Sequence, residues 1–218
     1  MKINHLLILP IVACTVSCSY LNNVAPGYSK AFEAITLFYA GHENTITKEV
    51  VDSIPYSSAL LRIGNGPYGL IILESKRNNI ETWVSADNVF FKMENGKIIE
   101  TAGLSNNLIG YVRNESKLFN PSNKRKQSFT AYYSYDDPEL NNLEIKSILI
   151  NKGKEELELL MGQKQLYLIE ERLSNNYLNW KVTNKFWIDE KGFVWKSKQY
   201  LSTKLPPIEI EITKKPAG

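Results

Sequence analysis

The residue types that carry most enzyme chemistry are scarce in this chain of 218 residues, which has two His and two Cys. Nucleophilic catalysis of the Ser-His-acid kind needs a base held against the nucleophile. No G-x-S-x-G motif is present, and His42 follows a Gly in a polar stretch typical of the surface. His5, Cys14 and Cys18 all lie in the first eighteen residues. Without a Cys/His cluster of zinc-site spacing, we predict no metal, no cofactor and no catalytic triad.

Acidic residues are the one catalytic type in good supply, with 23 Asp and Glu in the chain. A glycoside hydrolase needs only two carboxyl groups, held roughly 5–9 Å apart across a cleft. No Asp or Glu lies in a distinctive motif, however, and most are typical of solvated strand faces. A carboxylate-dependent polysaccharide hydrolase is therefore an alternative function that ranks below two non-catalytic hypotheses.

Aromatic side chains give the chain its clearest means of binding, with four Trp and 12 Tyr. Aromatic rings usually lie in protein cores, and Trp83 and Trp180 are assigned there, but an exposed ring offers a flat apolar face to a sugar. We predict glycan or partner contacts at four aromatic residues: Tyr132, Tyr133, Trp187 and Trp195. The two Trp of this set flank a turn, so we expect them to form a cross-strand pair.

Charge and composition exclude several classes of protein. The chain is 43% hydrophobic, which excludes intrinsic disorder, and its 26 Lys and Arg are interleaved with the acidic residues to give a net charge of +3. A nucleic-acid-binding protein would concentrate positive charge in a patch or stripe, so no nucleic-acid partner is predicted. The basic run Lys124–Lys126 is typical of a solvated loop, and it could also contact an acidic polysaccharide.

The N-terminus has the pattern of a secretory signal. Leu6–Val12 is apolar but far shorter than the ~20 residues that span a bilayer, and small residues then lead to a cysteine. This pattern resembles a bacterial lipoprotein signal, with residues 1–17 removed and Cys18 acylated. Cys14 is the alternative, but its use would leave Cys18 as an unpaired thiol in an oxidising compartment. Ser19, in place of an Asp, favours the outer membrane.

Two short helices are predicted ahead of a β-rich domain. Residues 18–27 have the composition of a tether, and Tyr28–Ala40 has apolar residues at helical spacing. A second helix starts at Thr47 and ends before Pro55. Eleven strand-like runs follow: 57–63, 68–73, 80–85, 88–93, 129–135, 143–150, 156–161, 165–173, 182–188, 194–201 and 208–212.

The strand spacing predicts an all-β, mainly antiparallel fold, either a sandwich or barrel-like, in one domain over residues 28–218. Trp83 and Trp180 are each followed by aromatic residues and then by a turn glycine, Gly96 or Gly192. This similarity suggests duplicated β halves at 47–112 and 128–213. The tail strand alternates apolar and acidic residues, as a half-buried strand does.

A set of short motifs resembles the YjbF/GfcB family of capsule and exopolysaccharide lipoproteins. The motifs are Ile54–Ser58, Arg62–Pro67, Trp83–Asp87, Asn95–Lys97, Thr101–Leu104, Phe186–Asp189 and Gly192–Gln199. Within and beside them, ten residues are assigned structural roles: Arg62, Gly64, Gly66, Pro67, Trp83, Ser85, Asp87, Gly96, Trp180 and Gly192. The resemblance runs from about Thr47 to the end, and the stretch from Val112 to Leu140 matches poorly.

The resemblance implies a mostly β lipoprotein on the periplasmic face of the outer membrane, with no catalytic residue to transfer. Its partners would be polysaccharide-export proteins, including an outer-membrane β-barrel protein, and capsule or exopolysaccharide itself. The leading hypothesis is therefore a non-enzymatic, lipid-anchored protein that assists assembly or export of a surface polysaccharide. The second is a glycan-binding module that uses exposed aromatic side chains.

Overall fold

A computed structural model describes residues 46–113 and 126–216. The predicted signal, the tether, the helix over Tyr28–Ala40, His42, Lys124 and Arg125 lie outside these residues. The described chain has one helix, α1 (Lys48–Ser53), followed by strands β1 (Ser58–Ile63), β2 (Gly69–Arg77), β3 (Ile80–Ser85), β4 (Phe90–Glu94), β5 (Lys97–Ala102), β6 (Leu108–Arg113), β7 (Gln127–Asp136), β8 (Glu139–Leu159), β9 (Gly162–Asn175), β10 (Trp180–Ile188), β11 (Val194–Gln199) and β12 (Ile208–Lys214).

All twelve described strands form one antiparallel sheet in the order β5-β4-β3-β2-β1-β12-β11-β10-β9-β8-β7-β6. The two edge strands, β5 and β6, are consecutive in the chain and lie beside each other. No ladder joins them, but the Leu108 N–H donates to the Thr101 hydroxyl at 3.0 Å. The sheet is therefore a nearly closed barrel, which confirms the prediction of an all-β, barrel-like fold.

Helix α1 lies where the sequence predicts it, because capping signals fix both of its ends. Thr47 is the N-cap and accepts a hydrogen bond from the Val50 N–H, and Ile54 ends the helix before Pro55. Val51 packs with Leu60 of β1 in a cluster that does not include the barrel core. Among the described residues, no helix has the length and apolar character needed to cross a bilayer.

The barrel interior is filled by large side chains from both halves of the sheet. In the first half Trp83 and Phe91 are fully buried, and in the second half Tyr133 and Phe186 are fully buried. Alternation along each strand brings these residues to one face of the sheet. The interior is thus a packed core, and solvent meets the protein on its outer face and at its ends.

The long β8–β9 hairpin corrects one sequence prediction. The run 143–150 and most of the run 156–161 belong to one continuous strand, β8, which ends at Leu159, and Gly153 is a bulge residue within it. Gly153 has φ +98°, and its N–H donates to the Asn151 side chain at 2.8 Å. A bulge glycine and a turn glycine share the same positive φ, so sequence alone does not separate them. The hairpin tip packs Leu160 and Met161 on the cluster that contains α1.

Strand β6 lies where no strand is predicted from the sequence. The alternation of its side chains between the two faces of the sheet is broken by an irregularity between Leu108 and Gly110, where Ile109 has no partner in the β6–β7 ladder. Leu108 is buried, whereas Ile109 and Val112 are 48% and 63% exposed. A strand with an interrupted alternation and two exposed apolar residues lacks the pattern by which strands are recognised.

The tail strand β12 is buried on both faces, which corrects the prediction of a half-buried strand. It pairs with β1 on one side and β11 on the other, so it is central in the sheet. Its acidic residues are enclosed, with Glu209 at 8% and Glu211 at 5% exposure. The turn between β8 and β9 helps to enclose Glu211, because the Leu160 N–H donates a hydrogen bond to its carboxylate at 2.6 Å.

The two Trp-led segments predicted to be duplicates do not have the same strand arrangement, and the duplicated halves themselves stay a prediction. Trp83 lies in β3, one full strand before the hairpin that Gly96 turns, between β4 and β5. Trp180 begins β10, and Gly192 lies in the turn at the end of that same strand. The regions 47–112 and 128–213 therefore supply neighbouring strands to one sheet, and their Trp-led hairpins are not equivalent.

Candidate contact residues and the buried polar centre

The two adjacent tyrosines predicted as contacts point to opposite sides of β7. Tyr132 is 39% exposed and lies opposite Val112 on β6 and Glu144 on β8. Tyr133 has no exposed surface, and its ring meets that of Tyr111 edge-on, with centroids 5.2 Å apart. The contact prediction is therefore wrong for Tyr133, because strand alternation turns it into the core. Tyr132 stays a prediction.

The predicted pairing of the two C-terminal tryptophans is also wrong. An irregularity in the β10–β11 ladder places Trp187 opposite Lys196, and Trp195 has no direct partner in this ladder. Each indole is half-buried and donates its N–H to a carboxylate: Trp187 to Glu155, and Trp195 to Asp189 at 3.1 Å. Neither indole N–H is therefore free to bind a ligand.

Tyr132 and Trp187 are too far apart to act on the same sugar. Tyr132 pairs with Glu144 on β8. Trp187 pairs with Leu168 on β9, and Leu168 in turn pairs with Gly153 on β8. Glu144 and Gly153 are nine positions apart on β8, which corresponds to roughly 30 Å of strand. The structure does not bring the predicted aromatic contacts together into one platform.

The β1–β2 turn shows why its motif has two glycines and an arginine. Gly64 has φ +60°, its N–H donates to the Pro207 carbonyl at 2.8 Å, and a Cβ there would lie 3.0 Å from Pro206. The Gly66 N–H donates to the Ile63 carbonyl at the end of β1 and so closes the turn, and Pro67 comes directly after Gly66. Arg62 binds the carboxylate of Glu209 at 2.6 Å. The motif thus joins the β1–β2 turn to the segment before β12.

The remaining motif residues also lie in turns or in the core. Trp83 is fully buried and donates its indole N–H to Glu81 at 3.2 Å, and Trp180 is 7% exposed. Ser85 accepts a hydrogen bond from the Val89 N–H at 3.1 Å in the β3–β4 turn. Gly192 has φ +84° in the β10–β11 turn. Asp87 is exposed in the β3–β4 turn.

Gly96 lies where the β4–β5 turn meets the opposite wall of the barrel. Its φ is +77°, and a Cβ at this position would lie 2.5 Å from the Cβ of Val194 on β11. Gln199, also on β11, donates to the Gly96 carbonyl at 2.9 Å and accepts from the Ile98 N–H at 3.0 Å. Only a residue without a side chain allows this close approach.

A charged pair that is not predicted from the sequence lies in the interior of the barrel. Lys97 of β5 binds Glu171 of β9 at 2.6 Å, and the two side chains are 0% and 1% exposed. Glu171 also accepts hydrogen bonds from Ser147 at 3.0 Å and from Asn184 at 2.8 Å. These four residues are named the polar centre. Three donors therefore surround the buried carboxylate of Glu171, and their hydrogen bonds offset the cost of burying it.

One signal for the polar centre was present in the sequence. Ile169, Glu171 and Leu173 alternate along β9, so the glutamate shares a face with two apolar residues. Lys97 offers no such signal, because it follows directly on a hairpin turn. The pairing of the two residues, 74 positions apart, depends on how the barrel closes.

The enclosed acidic residues of β12 are neutralised on the outer face of the sheet. Glu209 binds Arg62 and Lys198, and Glu211 binds Lys196 at 2.9 Å. Burial acts to raise the pKa of Glu209, but hydrogen bonds from Lys198 and Arg62 outweigh it, so this pKa is lowered. Burial raises the pKa of Glu81 despite the hydrogen bond from Trp83. Within residues 46–113 and 126–216, no group of His, Cys, Asp and Glu could hold a metal ion.

Comparison with known proteins agrees with the resemblance noted in the sequence. Residues 31–213 match the family model described as group 4 capsule polysaccharide lipoprotein gfcB, YjbF. Two *Escherichia coli* (strain K12) proteins named uncharacterized lipoproteins are similar: YjbF is 21% identical, covering 78% of this chain and 80% of the relative. GfcB is 24% identical, covering 78% of this chain and 81% of the relative.

A solved structure has the same fold. The crystal structure of the hypothetical lipoprotein YmcC from *Escherichia coli* (K12) superimposes with a TM-score of 0.67 at 23% identity, covering 85% of this chain and 95% of that chain. This likeness concerns the fold alone. With a family match over most of its length, the chain belongs to the YjbF family of group 4 capsule polysaccharide lipoproteins.

Proposed function

We propose that this protein is a non-catalytic lipoprotein that assists assembly or export of a capsule or exopolysaccharide by contacts on its outer surface. In this proposal Cys18 is acylated and holds the domain on the periplasmic face of the outer membrane. Acyl chains contribute about 0.8 kcal/mol per buried CH₂, so two or three of them give durable anchoring. The leader pattern and the family description support the anchor and the connection with capsule polysaccharide.

The closed interior is the observation that carries the non-catalytic part of the proposal. Lys97 and Glu171, the charged groups at its centre, are bound to each other and shielded from solvent. Trp83, Phe91 and Phe186 are also fully buried in the described part of the barrel. In the described part of the chain, a polymer or a partner protein would meet the outer face, where proteins most often bind each other through exposed side chains. The partners proposed are polysaccharide-export proteins, including an outer-membrane β-barrel protein.

Deletion of the gene in its native host tests this function. We expect less surface polysaccharide, or polymer of altered length, with restoration by the wild-type gene. A Cys18→Ala variant should fail to restore it, whereas Cys14→Ala should restore it fully. Mass spectrometry of the mature N-terminus reports acylation directly. Unchanged polysaccharide in the deletion strain would refute the proposal.

A glycan-binding module is the second candidate, and the position of Tyr132 favours it. This ring is 39% exposed and has the carboxylate of Glu144 opposite it in the adjacent strand, so an apolar face and a hydrogen-bond acceptor are adjacent. Calorimetric titration with purified polymer should show binding that Tyr132→Ala removes. Tyr177→Ala is the comparison variant, because Tyr177 is the more exposed tyrosine, at 86%, and lies in the β9–β10 turn and not on β7. Absence of heat with the wild-type protein would reject this candidate.

A further inference from the structure

The outer part of the β8–β9 hairpin extends beyond the strands on either side of it. Among the described strands, β8 pairs with β7 only as far as Leu149, and β9 pairs with β10 only from Tyr167 onward. Residues 155–166, named the arm, therefore pair only with each other in this sheet. A two-stranded hairpin is marginally stable at best in water, so the arm depends on packing against the barrel.

One face of the arm lies against the barrel and the other faces solvent. Leu159 and Leu166 are 5% and 1% exposed, whereas Glu156 and Glu158 are exposed. Leu166 pairs with Glu155, which lies four positions before Leu159 on the same strand, so both leucines share a face with Glu155. That face is therefore the one in contact with the rest of the protein.

The outer face of the barrel has a row of directly paired side chains beneath the arm. Trp187 on β10 pairs with Lys196 on β11, and Lys196 pairs with Glu211 on β12. Glu211 in turn pairs with Leu60 on β1. These four residues are named the covered row. Neighbouring strands lie about 4.8 Å apart, so the row crosses four strands over roughly 14 Å.

The contacts of the arm follow the covered row from one end to the other. At one end the Trp187 indole N–H donates to Glu155. At the other end the Leu160 N–H donates to Glu211 at 2.6 Å, and Leu160 packs on the cluster that contains Leu60. From Glu155 to Leu160 an extended strand measures roughly 16 Å, which matches the length of the row. The arm therefore lies across the strands, along the row.

The arm joins the barrel at a point where the chain has room to bend. Gly153 lies two residues before the arm and is a bulge residue of β8. A Cβ at this position would have nothing within 4 Å. The ladders to the third strands end at Leu149 and Tyr167, so a bend at Gly153 lifts the arm without breaking a ladder of the barrel.

We infer that the arm is a releasable cover, which opens at Gly153 as a unit while the barrel stays folded. Opening frees the Trp187 indole N–H and the Glu211 carboxylate. It also removes the Lys164 ammonium from the face of Trp195, where it lies 4.1 Å from the ring centroid. The consequence for binding rests on the proposed function: a partner that contacts these two tryptophans binds the open form, so its affinity falls with the closed fraction.

Hydrogen exchange of the full mature chain, followed by mass spectrometry, tests the opening. An open arm exchanges its amides because it is not stable by itself. We expect residues 157–166 to be protected at least about 10-fold less than β11 and β12. Glu155→Ala removes the hydrogen bond to Trp187 and should speed exchange of the arm about 5-fold, with β11 and β12 unchanged. Glu156→Ala is the matched control on the exposed face, and it should change neither rate.

Equal protection of the arm and the barrel strands would overturn the inference, because the arm would then open only when the whole domain unfolds. The same exchange in low concentrations of urea gives a second measurement. Opening of the arm exposes little surface, so its exchange should depend weakly on urea, whereas that of β11 and β12 should depend steeply. Equal urea dependence would also overturn the inference. Neither result depends on the polysaccharide of the deletion strain, so failure of the inference and failure of the proposed function are separate observations.

Discussion

The barrel is closed in two different ways, at the β1–β12 junction and at the β5–β6 junction. Strands β1 and β12 meet through a regular antiparallel ladder, with the Arg62–Glu209 pair across it. Strands β5 and β6 meet without a ladder, so β5 has a ladder only with β4, and buried side chains join it across the barrel to β9 and β11. These side chains are the Lys97–Glu171 pair and Gln199, which donates to the Gly96 carbonyl and accepts from the Ile98 N–H.

The difference shows where this fold depends on particular residues. At the β1–β12 junction the backbone supplies the hydrogen bonds, so most side chains can change without separating the strands. At the β5–β6 seam no ladder does this, so the position of β5 depends in part on its buried contacts with β9 and β11, in which each group loses its partner if the other is removed. We therefore expect substitutions at the seam to cost more than equivalent substitutions at the ladder.

The largest effect is expected from Lys97→Met. The substitution leaves Glu171 charged and buried without its cation, which costs about 3–5 kcal/mol of unfolding free energy. Urea denaturation measures this loss. The double variant Lys97→Met with Glu171→Met should recover much of it, because a fully apolar pair leaves no buried charge. A loss below about 1 kcal/mol for the single variant would show that the pair does not hold the seam.

Gly96→Ala should have the next largest effect. A Cβ would overlap Val194 and meet a positive φ, so overpacking of about 1–3 kcal/mol adds to backbone strain of about 1–2 kcal/mol. Gly162→Ala is the control, since its φ is +118° but nothing lies within 4 Å of the added Cβ. Equal losses for the two variants, measured by urea denaturation, would contradict the close contact.

The ladder junction should show a smaller, pH-dependent effect through Glu209. Its pKa is lowered on folding, so its stabilising contribution is present above the usual value of 4.5 and is lost as pH falls through the folded value. We expect Glu209→Gln to reduce the loss of stability between pH 7 and pH 3, measured as the shift of the urea midpoint. An unchanged shift would argue against the pairing.

Glu81 provides a control of opposite sign for that experiment. Burial raises its pKa on folding, so its stabilising contribution is present at low pH and is lost as pH rises through the folded value. Relative to the wild-type protein, Glu81→Gln should therefore have a higher urea midpoint at pH 7, with a smaller difference at pH 3. A change in the same direction as that of Glu209→Gln would contradict the burial of this carboxyl group.

The smallest effect is expected from Lys92→Met. Lys92 and Glu100 pair at 2.8 Å on the β4–β5 hairpin that also carries Lys97, but their side chains are 44% and 42% exposed. Solvent screens this pair, so we expect a change within about 0.5 kcal/mol. The two Lys–Glu pairs differ mainly in burial. A loss comparable to that of Lys97→Met would mean that burial does not set their strength.

Several elements were predictable because their signals are local. Thr47 and Pro55 limit α1, and the Asn95–Gly96 dipeptide gives the β4–β5 hairpin. The sequence pattern was insufficient to predict the strands where the backbone departs from regular pairing, as in β6 and at Gly153 of β8. Tyr133 shows a further limit: alternation separates it from Tyr132, but it does not tell which of the two faces the core.

The sequence by itself determined the β-rich class, the hairpin turns and the family, because periodicity, turn chemistry and motif order are properties of short segments. Only the tertiary structure decided the partners of Lys97, Glu171 and Gln199, and the burial of Glu209 and Glu211. These contacts join residues far apart in the chain, and they exist because β12 returns to pair with β1 and brings the two edge strands together. Closure of the barrel, which no local pattern encodes, thus places the polar centre.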